Sequence, residues 1–228
     1  MRFIHTADWQ LGKPYARVTD PDKRAQLRRE RLSAIGRLGV VAQQQGADFI
    51  AVAGDLFDTH QPTKADVSAA CSAIGGVRLP VLVIPGNHDH GGAGSCWQES
   101  YFLKEVQQLA PNLIVLLERQ PFELARIGLS GGVLLPCPLL RKAEPVDPTA
   151  WLRQLDFSPW SDEPRIVLAH GSVHGFGGED SGDTDDENPP VPTNRIDLSA
   201  LPTGEIDYVA LGDWHGFKQV SARAWYSG

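Results

Sequence analysis

Short apolar segments that end in small polar clusters recur along the chain. The clearest are residues 2–7, 48–53, 79–84, 165–169 and 206–211. A short and almost continuous apolar run is typical of a strand that is buried on both faces. The pattern therefore predicts five buried strands, each followed by polar side chains.

Helical patterns separate the first three strands. Residues 22–45 predict a helix with four apolar side chains on one face, which are Leu27, Ala34, Leu38 and Val41. Thr63 begins a capping-box pattern that opens a second helix towards residue 74. Ser95 is expected to cap a third helix, over residues 97–109. Alternating strands and helices predict an α/β fold with parallel pairing in its first half.

The second half of the chain has more strand patterns. Further strands are predicted at residues 113–116, 124–129 and 133–135, and a closing hairpin at 217–226. A length of 228 residues without an internal repeat or composition boundary favours one domain over residues 1–228.

Composition and charge exclude few classes of protein or substrate. Hydrophobic residues make up 42% of the chain and charged residues 21%, which is an ordinary balance for a globular protein. The net charge is −7. Six of the acidic residues lie in residues 175–194, which contain no Lys or Arg and predict a solvated loop. The rest of the chain is nearly neutral, which neither favours nor excludes a polyanionic substrate.

Cysteine usage and the N-terminus indicate the compartment. Three widely spaced cysteines give no disulfide framework and no zinc–cysteine pattern, and Cys71 is expected to be a small buried side chain. We see no secretory signal and no membrane-length apolar run. We therefore expect a cytoplasmic protein without membrane contact.

Metal-ligand residue types follow the strand patterns. These residues are Asp8 and Gln10, Asp55, Asn87 and His88, His170, and Asp213 and His215. Functional groups of open α/β sheets gather beyond the carboxyl ends of the strands. Each of these residues alone could have a purely structural role. A structural role for all of them would require metal-ligand residue types to occur by coincidence after five separate strands. Carboxylates, imidazoles and an amide at one edge predict a divalent metal site.

The motifs resemble those of the calcineurin-like metallophosphoesterases. They are Asp8-x-Gln10, Gly54-Asp55, Gly86-Asn87-His88-Asp89, His170-Gly171 and Gly212-Asp213-x-His215. Longer strings are similar to the SbcD-like DNA repair exonuclease branch. They are His5-Thr6-Ala7-Asp8-Trp9-Gln10-Leu11-Gly12, Gly54-Asp55-Leu56-Phe57-Asp58 and Trp225-Tyr226-Ser227-Gly228. The resemblance implies a sandwich of two mixed β-sheets flanked by helices.

The resemblance also implies roles for individual residues. Asp55 would bridge two divalent metal ions. The remaining ligands would be Asp8, Gln10 and His215 for one ion, and Asn87, His170 and Asp213 for the other. A metal-bridging hydroxide would attack phosphorus, His88 would protonate the leaving oxygen as general acid, and Asp89 would orient the His88 imidazole.

Two positions depart from the family pattern. Gln10 and Asp213 each stand where the family usually has histidine, so both replace nitrogen with oxygen. Oxygen ligands favour Mn²⁺ or Mg²⁺ over zinc, and we expect Mn²⁺. A neutral Gln10 amide predicts weaker binding of the first ion.

Three functions remain open at this stage. The leading hypothesis is a DNA exonuclease or endonuclease, in which Trp9 and Trp214 either stack on a base or pack around the metal loops. Basic residues of the first helix are a solvated face or, less favoured, a contact for DNA phosphates. The alternatives are a phosphodiesterase or phosphatase acting on a small nucleotide or other phosphoester, and a non-catalytic metal-binding partner module.

The resemblance extends to partners. Relatives of this branch continue into a capping region and a segment that docks an SbcC-like ATPase, and we expect that this chain lacks both. It leaves a homodimer and the polarity of cleavage open.

Overall fold

A parallel four-stranded sheet forms the first half of the fold. The computed structural model describes residues 1–173 and 193–228, so most of the predicted acidic loop lies outside the described residues. The sheet has the order β1 (Phe3–Thr6), β2 (Phe49–Val52), β3 (Val81–Val83) and β4 (Leu113–Val115). Each neighbouring pair is parallel, which confirms the predicted parallel pairing.

A mixed six-stranded sheet forms the second half. Its strands are β5 (Phe122–Glu123), β6 (Val133–Cys137), β7 (Arg165–His170), β10 (Tyr208–Gly212), β11 (Phe217–Gln219) and β12 (Ala224–Ser227). Their order in space is β11-β12-β10-β7-β6-β5. The β5–β6 and β11–β12 pairs are antiparallel, and the other three pairs are parallel. A separate parallel pair joins β8 (Ser172–Val173) and β9 (Arg195–Ile196).

The predicted α/β class with two sheets is confirmed. The first sheet differs in being parallel rather than mixed, because helices cross over between its strands. The predicted closing hairpin is confirmed as β11 and β12. Among the described residues, no helix is long and apolar enough to cross a membrane.

Three α-helices and several 3₁₀ helices complete the described part of the chain. The α-helices are α1 (Pro21–Gln44), α2 (Lys64–Gly75) and α3 (Ser100–Leu109). Thr63 caps α2 as predicted, because its Oγ1 accepts a hydrogen bond from the Asp66 amide at 3.1 Å. The predicted cap at Ser95 is wrong. Ser95 precedes a 3₁₀ helix, Cys96–Gln98, without a capping bond, and α3 begins only at Ser100.

The core has three layers of side chains. One layer lies between the two sheets, where β2 and β3 of the first sheet face β6 and β7 of the second. A second layer lies between the first sheet and the α-helices, and it contains the buried Cys71. A third covers the outer face of the second sheet. The fold therefore holds the ends of both sheets at one edge.

The predicted apolar face of α1 is confirmed at Leu38, which packs against the core, and is wrong at Leu27 and Val41. The helix buries Ile35, Gly39 and Ala42, whereas Leu27 and Val41 are exposed. Gly39 lies against the segment that follows α2, where there is little room for a side chain. A Cβ at Gly39 would stand only 3.3 Å from Val77 Cγ1.

The predicted strand at residues 124–129 is also wrong. Leu124–Ile127 is a 3₁₀ helix, and Gly128 follows it in the left-handed conformation with φ 78°. The chain turns there because the Leu129 amide returns to the Leu124 carbonyl at 3.2 Å. This left-handed glycine interrupts an extended run that the apolar pattern alone does not reveal.

Candidate metal centre

Acidic and imidazole side chains from both sheets meet at one edge of the fold. Asp8 and Asp55 follow β1 and β2, and His170 is the last residue of β7. One ligand atom from each of these three buried residues lies within 4.8 Å of the others. These three strand-end residues, which are far apart in sequence, therefore lie close together in the fold.

The loops after these strands have an unusual backbone. Asp8, Gln10, Asp55 and Asp213 have positive φ angles of 55°, 42°, 54° and 106°. Non-glycine residues in this region are strained, and such strain clusters at functional sites. The Asp8 amide donates to the Gly54 carbonyl at 3.1 Å, and the Gln10 amide donates to the Asp55 carbonyl at 2.9 Å. These bonds fix the first two strand-end loops against each other.

Two glycines make room for the ligands. A Cβ at Gly54 would stand 2.2 Å from His170 Nδ1, and a Cβ at Gly86 would stand 2.1 Å from Asp55 Oδ1. Neither distance is tolerated, so any larger residue would displace the imidazole or the carboxylate. Close packing therefore requires glycine at positions 54 and 86.

His170 directs its Nε2 towards several oxygens. Its Nδ1 lies 2.8 Å from the Ala53 carbonyl, which can only accept, so Nδ1 carries the hydrogen. Its Nε2 lies 2.9 Å from Asn87 Oδ1, 3.6 Å from Asp55 Oδ2 and 3.8 Å from Asp213 Oδ1. Without an ion, Nε2 carries a proton that faces these three oxygens, and a bound cation would take the place of that proton.

The electrostatics of the cluster also fit a cation. Burial raises the pKa of Asp8 and of Asp213 above the usual range. Burial opposes a charge on His170, but Asp55, Asp8 and Asp213 outweigh it and raise the pKa of His170 to about 9. Asp8 Oδ1 is buried and has no hydrogen-bond partner among the described residues. A divalent cation fits, because it would satisfy this oxygen and neutralise the carboxylates.

His88 lies beside Asp55 and remains open to solvent. The His88 amide donates to Asp55 Oδ1 at 2.9 Å, its Nε2 lies 4.0 Å from Asp55 Oδ2, and 40% of its side chain is exposed. Its Nδ1 lies 2.9 Å from the Asp58 carbonyl. The imidazole is thus held at one nitrogen by the backbone, with the other nitrogen next to the cluster.

Asp89 does not make the predicted contact with the His88 imidazole. Its two carboxylate oxygens accept hydrogen bonds from the Phe57 amide at 2.9 Å and from the Gly86 amide at 2.8 Å. The Asp58 carbonyl, rather than the Asp89 carboxylate, holds the His88 imidazole. Burial, with a contribution from Asp55, raises the pKa of Asp89 to about 7. Asp89 therefore holds the loops that carry the Asp55 and His88 side chains.

Gln10 and His215 lie at the other side of the cluster. His215 Nε2 is 3.9 Å from Asp8 Oδ1, and the Asp213 amide donates to Asp8 Oδ2 at 3.2 Å. Gln10 Nε2 lies 3.2 Å from His215 Nε2, and Gln10 Oε1 accepts a hydrogen bond from Lys13 Nζ at 2.5 Å. The sequence patterns did not single out Lys13. The sequence feature that could have indicated the position of Lys13 is the turn at Leu11 and Gly12.

Three further histidines lie near the motif residues. His5 hydrogen-bonds to the Tyr208 hydroxyl at 3.2 Å and to the Leu211 carbonyl at 3.1 Å, so both of its ring nitrogens have partners. The ring of His90 is half-buried and stacks on His60, with 4.0 Å between the ring centroids. A third histidine near the motifs, His174, is predicted from its loop position to be exposed, and it lies outside the described residues.

The two tryptophans beside the ligands differ. Trp9 is buried and its Nε1 donates to Thr6 Oγ1 at 3.0 Å, so it packs around the loop. Trp214 is 40% exposed. On the basic first helix, Arg31 donates to the Trp9 carbonyl at 2.7 Å and Arg37 pairs with Glu30 at 3.3 Å. Part of the basic run is therefore structural.

Comparisons with known proteins agree with this arrangement. The family model described as calcineurin-like phosphoesterase matches residues 1–217. The crystal structure of TT1561 of Thermus thermophilus is similar, with a TM-score of 0.57 and 16% identity. That match covers 98% of this chain and 86% of the other. A second solved structure has a TM-score of 0.53 and 12% identity, and that match covers 99% of this chain and 89% of the other. At these identities the structural matches show the fold alone.

The fold and the site together define a class, a two-sheet α/β protein with a candidate metal centre at the strand ends. The family match covers most of the chain, so this protein belongs to the calcineurin-like phosphoesterase family. Membership indicates a metal-dependent phosphoester hydrolase, and the Asp8, Asp55 and His170 group is its candidate metal centre.

Proposed function

We propose that this protein is a metal-dependent phosphodiesterase that cleaves DNA, as the SbcD-like resemblance suggests. The buried group of Asp8, Asp55 and His170, with an exposed His88 beside it, supports the phosphoesterase chemistry. A bound divalent cation, with Mn²⁺ or Mg²⁺ favoured by the oxygen-rich ligands, supplies positive charge to a phosphoryl oxygen and lowers the pKa of water.

His88 is the proposed general acid. The Asp58 carbonyl accepts a hydrogen bond from Nδ1 at 2.9 Å, so the second nitrogen, Nε2, is the one that exchanges a proton with the substrate. The partial exposure of the ring lets a leaving oxygen reach Nε2 from solvent. Asp55 Oδ2 lies 4.0 Å from Nε2, so this nitrogen faces the metal centre. This geometry suits protonation of the leaving alkoxide.

The observation that favours nucleic acid over a small ester is an exposed aromatic surface next to the metal centre. Trp214 stands between Asp213 and His215 and is 40% exposed, and Lys218 Nζ lies 4.6 Å from its ring centroid. Phe217 is 79% exposed and packs on Trp225 with 5.3 Å between centroids. Exposed aromatic rings with nearby cations bind nucleobases by stacking.

The test compares two substrates on two proteins. Wild type and Trp214→Ala are assayed with Mn²⁺ on linear DNA with single-stranded ends and on bis(p-nitrophenyl) phosphate. Stacking is worth about 1–3 kcal/mol per base, so Trp214→Ala should lower kcat/KM for DNA roughly 5- to 150-fold. The small diester has no base, so its hydrolysis should change less than about twofold.

Two results would count against the proposal. Hydrolysis of the small diester or of a cyclic nucleotide without DNA cleavage would support phosphoesterase activity and contradict the proposed nuclease activity. No metal-dependent hydrolysis of any phosphoester would favour a non-catalytic metal-binding module. The SbcC-like ATPase partner stays a prediction, and the resemblance makes no prediction about a homodimer or the polarity of cleavage.

A further inference from the structure

Lys13 is held against the metal centre by a tight turn. The Lys13 amide donates to the Gln10 carbonyl at 3.3 Å, and Gly12 has φ 84° at the third position of that turn. A type II turn requires a positive φ at this position, and glycine adopts it without strain. The turn folds the lysine side chain back, so that Nζ donates to Gln10 Oε1 at 2.5 Å and lies 3.6 Å from Asp58 Oδ1.

The lysine fixes the orientation of the Gln10 amide. An ammonium group can only donate, so the Gln10 atom that faces it must be the oxygen. The amide nitrogen then faces His215 Nε2 at 3.2 Å. Because an amide NH₂ group also only donates, His215 Nε2 must accept, and the hydrogen of the imidazole lies on Nδ1. Lys13 therefore determines hydrogen bonding across Gln10 as far as His215.

This chain of bonds occupies two of the predicted ligands of the first metal ion. The Gln10 oxygen is bound by Lys13, and the His215 lone pair is bound by the Gln10 amide. A divalent cation on the Gln10 oxygen would share that oxygen with an ammonium group, and the like charges would repel each other. By contrast, Asp8, Asp55 and His170 converge within 4.8 Å.

The geometry points to a centre that binds one divalent cation, with the Lys13 ammonium supplying the positive charge that a second cation supplies elsewhere in the family. The cation lies among Asp8, Asp55 and His170, close to Asn87 and Asp213. Lys13 has three N–H groups, of which one donates to Gln10 Oε1. Asp58 Oδ1, at 3.6 Å, forms an ion pair with Nζ rather than a hydrogen bond, so an N–H group remains to donate to a phosphoryl oxygen of the substrate. This inference rests on the proposed phosphoesterase function.

Metal stoichiometry tests the inference independently of activity. Metal-free protein is titrated with Mn²⁺, and bound ions are counted by calorimetry and by electron paramagnetic resonance, in which a coupled Mn²⁺ pair differs from an isolated ion. Wild type is expected to bind one ion per chain with the spectrum of an isolated ion. The double variant Gln10→His with Lys13→Met restores a nitrogen ligand and removes the ammonium, so it is expected to bind two.

Activity of Lys13 variants supplies the second readout. Lys13→Met should lower kcat on the small diester about 100-fold, in the range found for loss of one charge-stabilising donor, with the affinity for the first ion changed less than about threefold. Lys13→Arg should recover part of the activity. Lys104→Met, at an exposed lysine of α3, is the matched control and should behave as wild type.

The three failures are distinguishable. Two ions per wild-type chain would overturn the inference and leave the phosphoesterase function standing. Unchanged activity in Lys13→Met would overturn the role given to Lys13. A wild-type protein that binds no Mn²⁺ would overturn the proposed function itself.

Discussion

Replacing Gly86 with alanine should disable the metal centre through a single methyl group. The added Cβ would stand 2.1 Å from Asp55 Oδ1, 2.6 Å from the Asp55 amide nitrogen and 2.8 Å from Asp55 Cγ. The carboxylate must move by roughly 1 Å to restore an ordinary contact, and it is already held by the His88 amide at 2.9 Å. A misplacement of about 1 Å costs on the order of 100-fold in rate, or about 2.7 kcal/mol.

The assay measures Mn²⁺ affinity and kcat/KM on a small phosphodiester for Gly86→Ala. Gly36→Ala is the matched control, because a Cβ at this exposed position of α1 meets no atom within 4 Å. Thermal unfolding of both metal-free variants separates a displaced ligand from an unfolded chain. We expect Gly86→Ala to remain folded, with weaker metal binding and about 100-fold lower kcat/KM. A folded Gly86→Ala with wild-type affinity and rate would refute the argument that Gly86 is required to place Asp55.

Two further predictions concern the histidines. His88→Gln should lower kcat on the small diester about 100-fold or more while Mn²⁺ affinity stays within about threefold, and an unchanged kcat would remove His88 as general acid. Burial lowers the pKa of His5 to about 4, so the unfolded chain takes up a proton first as the pH falls below 6.5. Stability from the neutral His5 is therefore present above that pH and lost towards pH 4. Between about pH 7.5 and pH 5, wild type should lose about 2 kcal/mol more unfolding free energy than His5→Asn, measured by urea denaturation. Equal losses would contradict the assignment of His5 as a buried neutral histidine.

The position of the candidate centre could be predicted from the sequence. Parallel strands leave their carboxyl ends at one edge, so polar residues after successive apolar runs must be neighbours in space. Asp8, Asp55 and His170 meet for this reason. The glycines at 54 and 86 could be expected from the sharp turns, although the close contacts that require them could not.

The details that were missed depend on contacts without a side-chain pattern. The Asp58 carbonyl holds His88, and a backbone carbonyl leaves no mark in a sequence. The contact between Lys13 and Gln10 follows from a turn at Gly12, and the apolar period does not report turn geometry. The buried face of α1 was misplaced because the small Gly39, rather than the larger Leu27, lies against the core.

The most direct test of the metal centre is a calorimetric Mn²⁺ titration of wild type and Asp55→Asn at the same pH. Asp55 lies within reach of both His170 and His88 and is a member of the buried acidic group. The substitution keeps the shape of the side chain and removes its charge. Wild type is expected to bind Mn²⁺, and Asp55→Asn is expected to remain folded with at least about 100-fold weaker binding. Equal binding by the two proteins, or no binding by wild type, would contradict a metal centre at these strand ends.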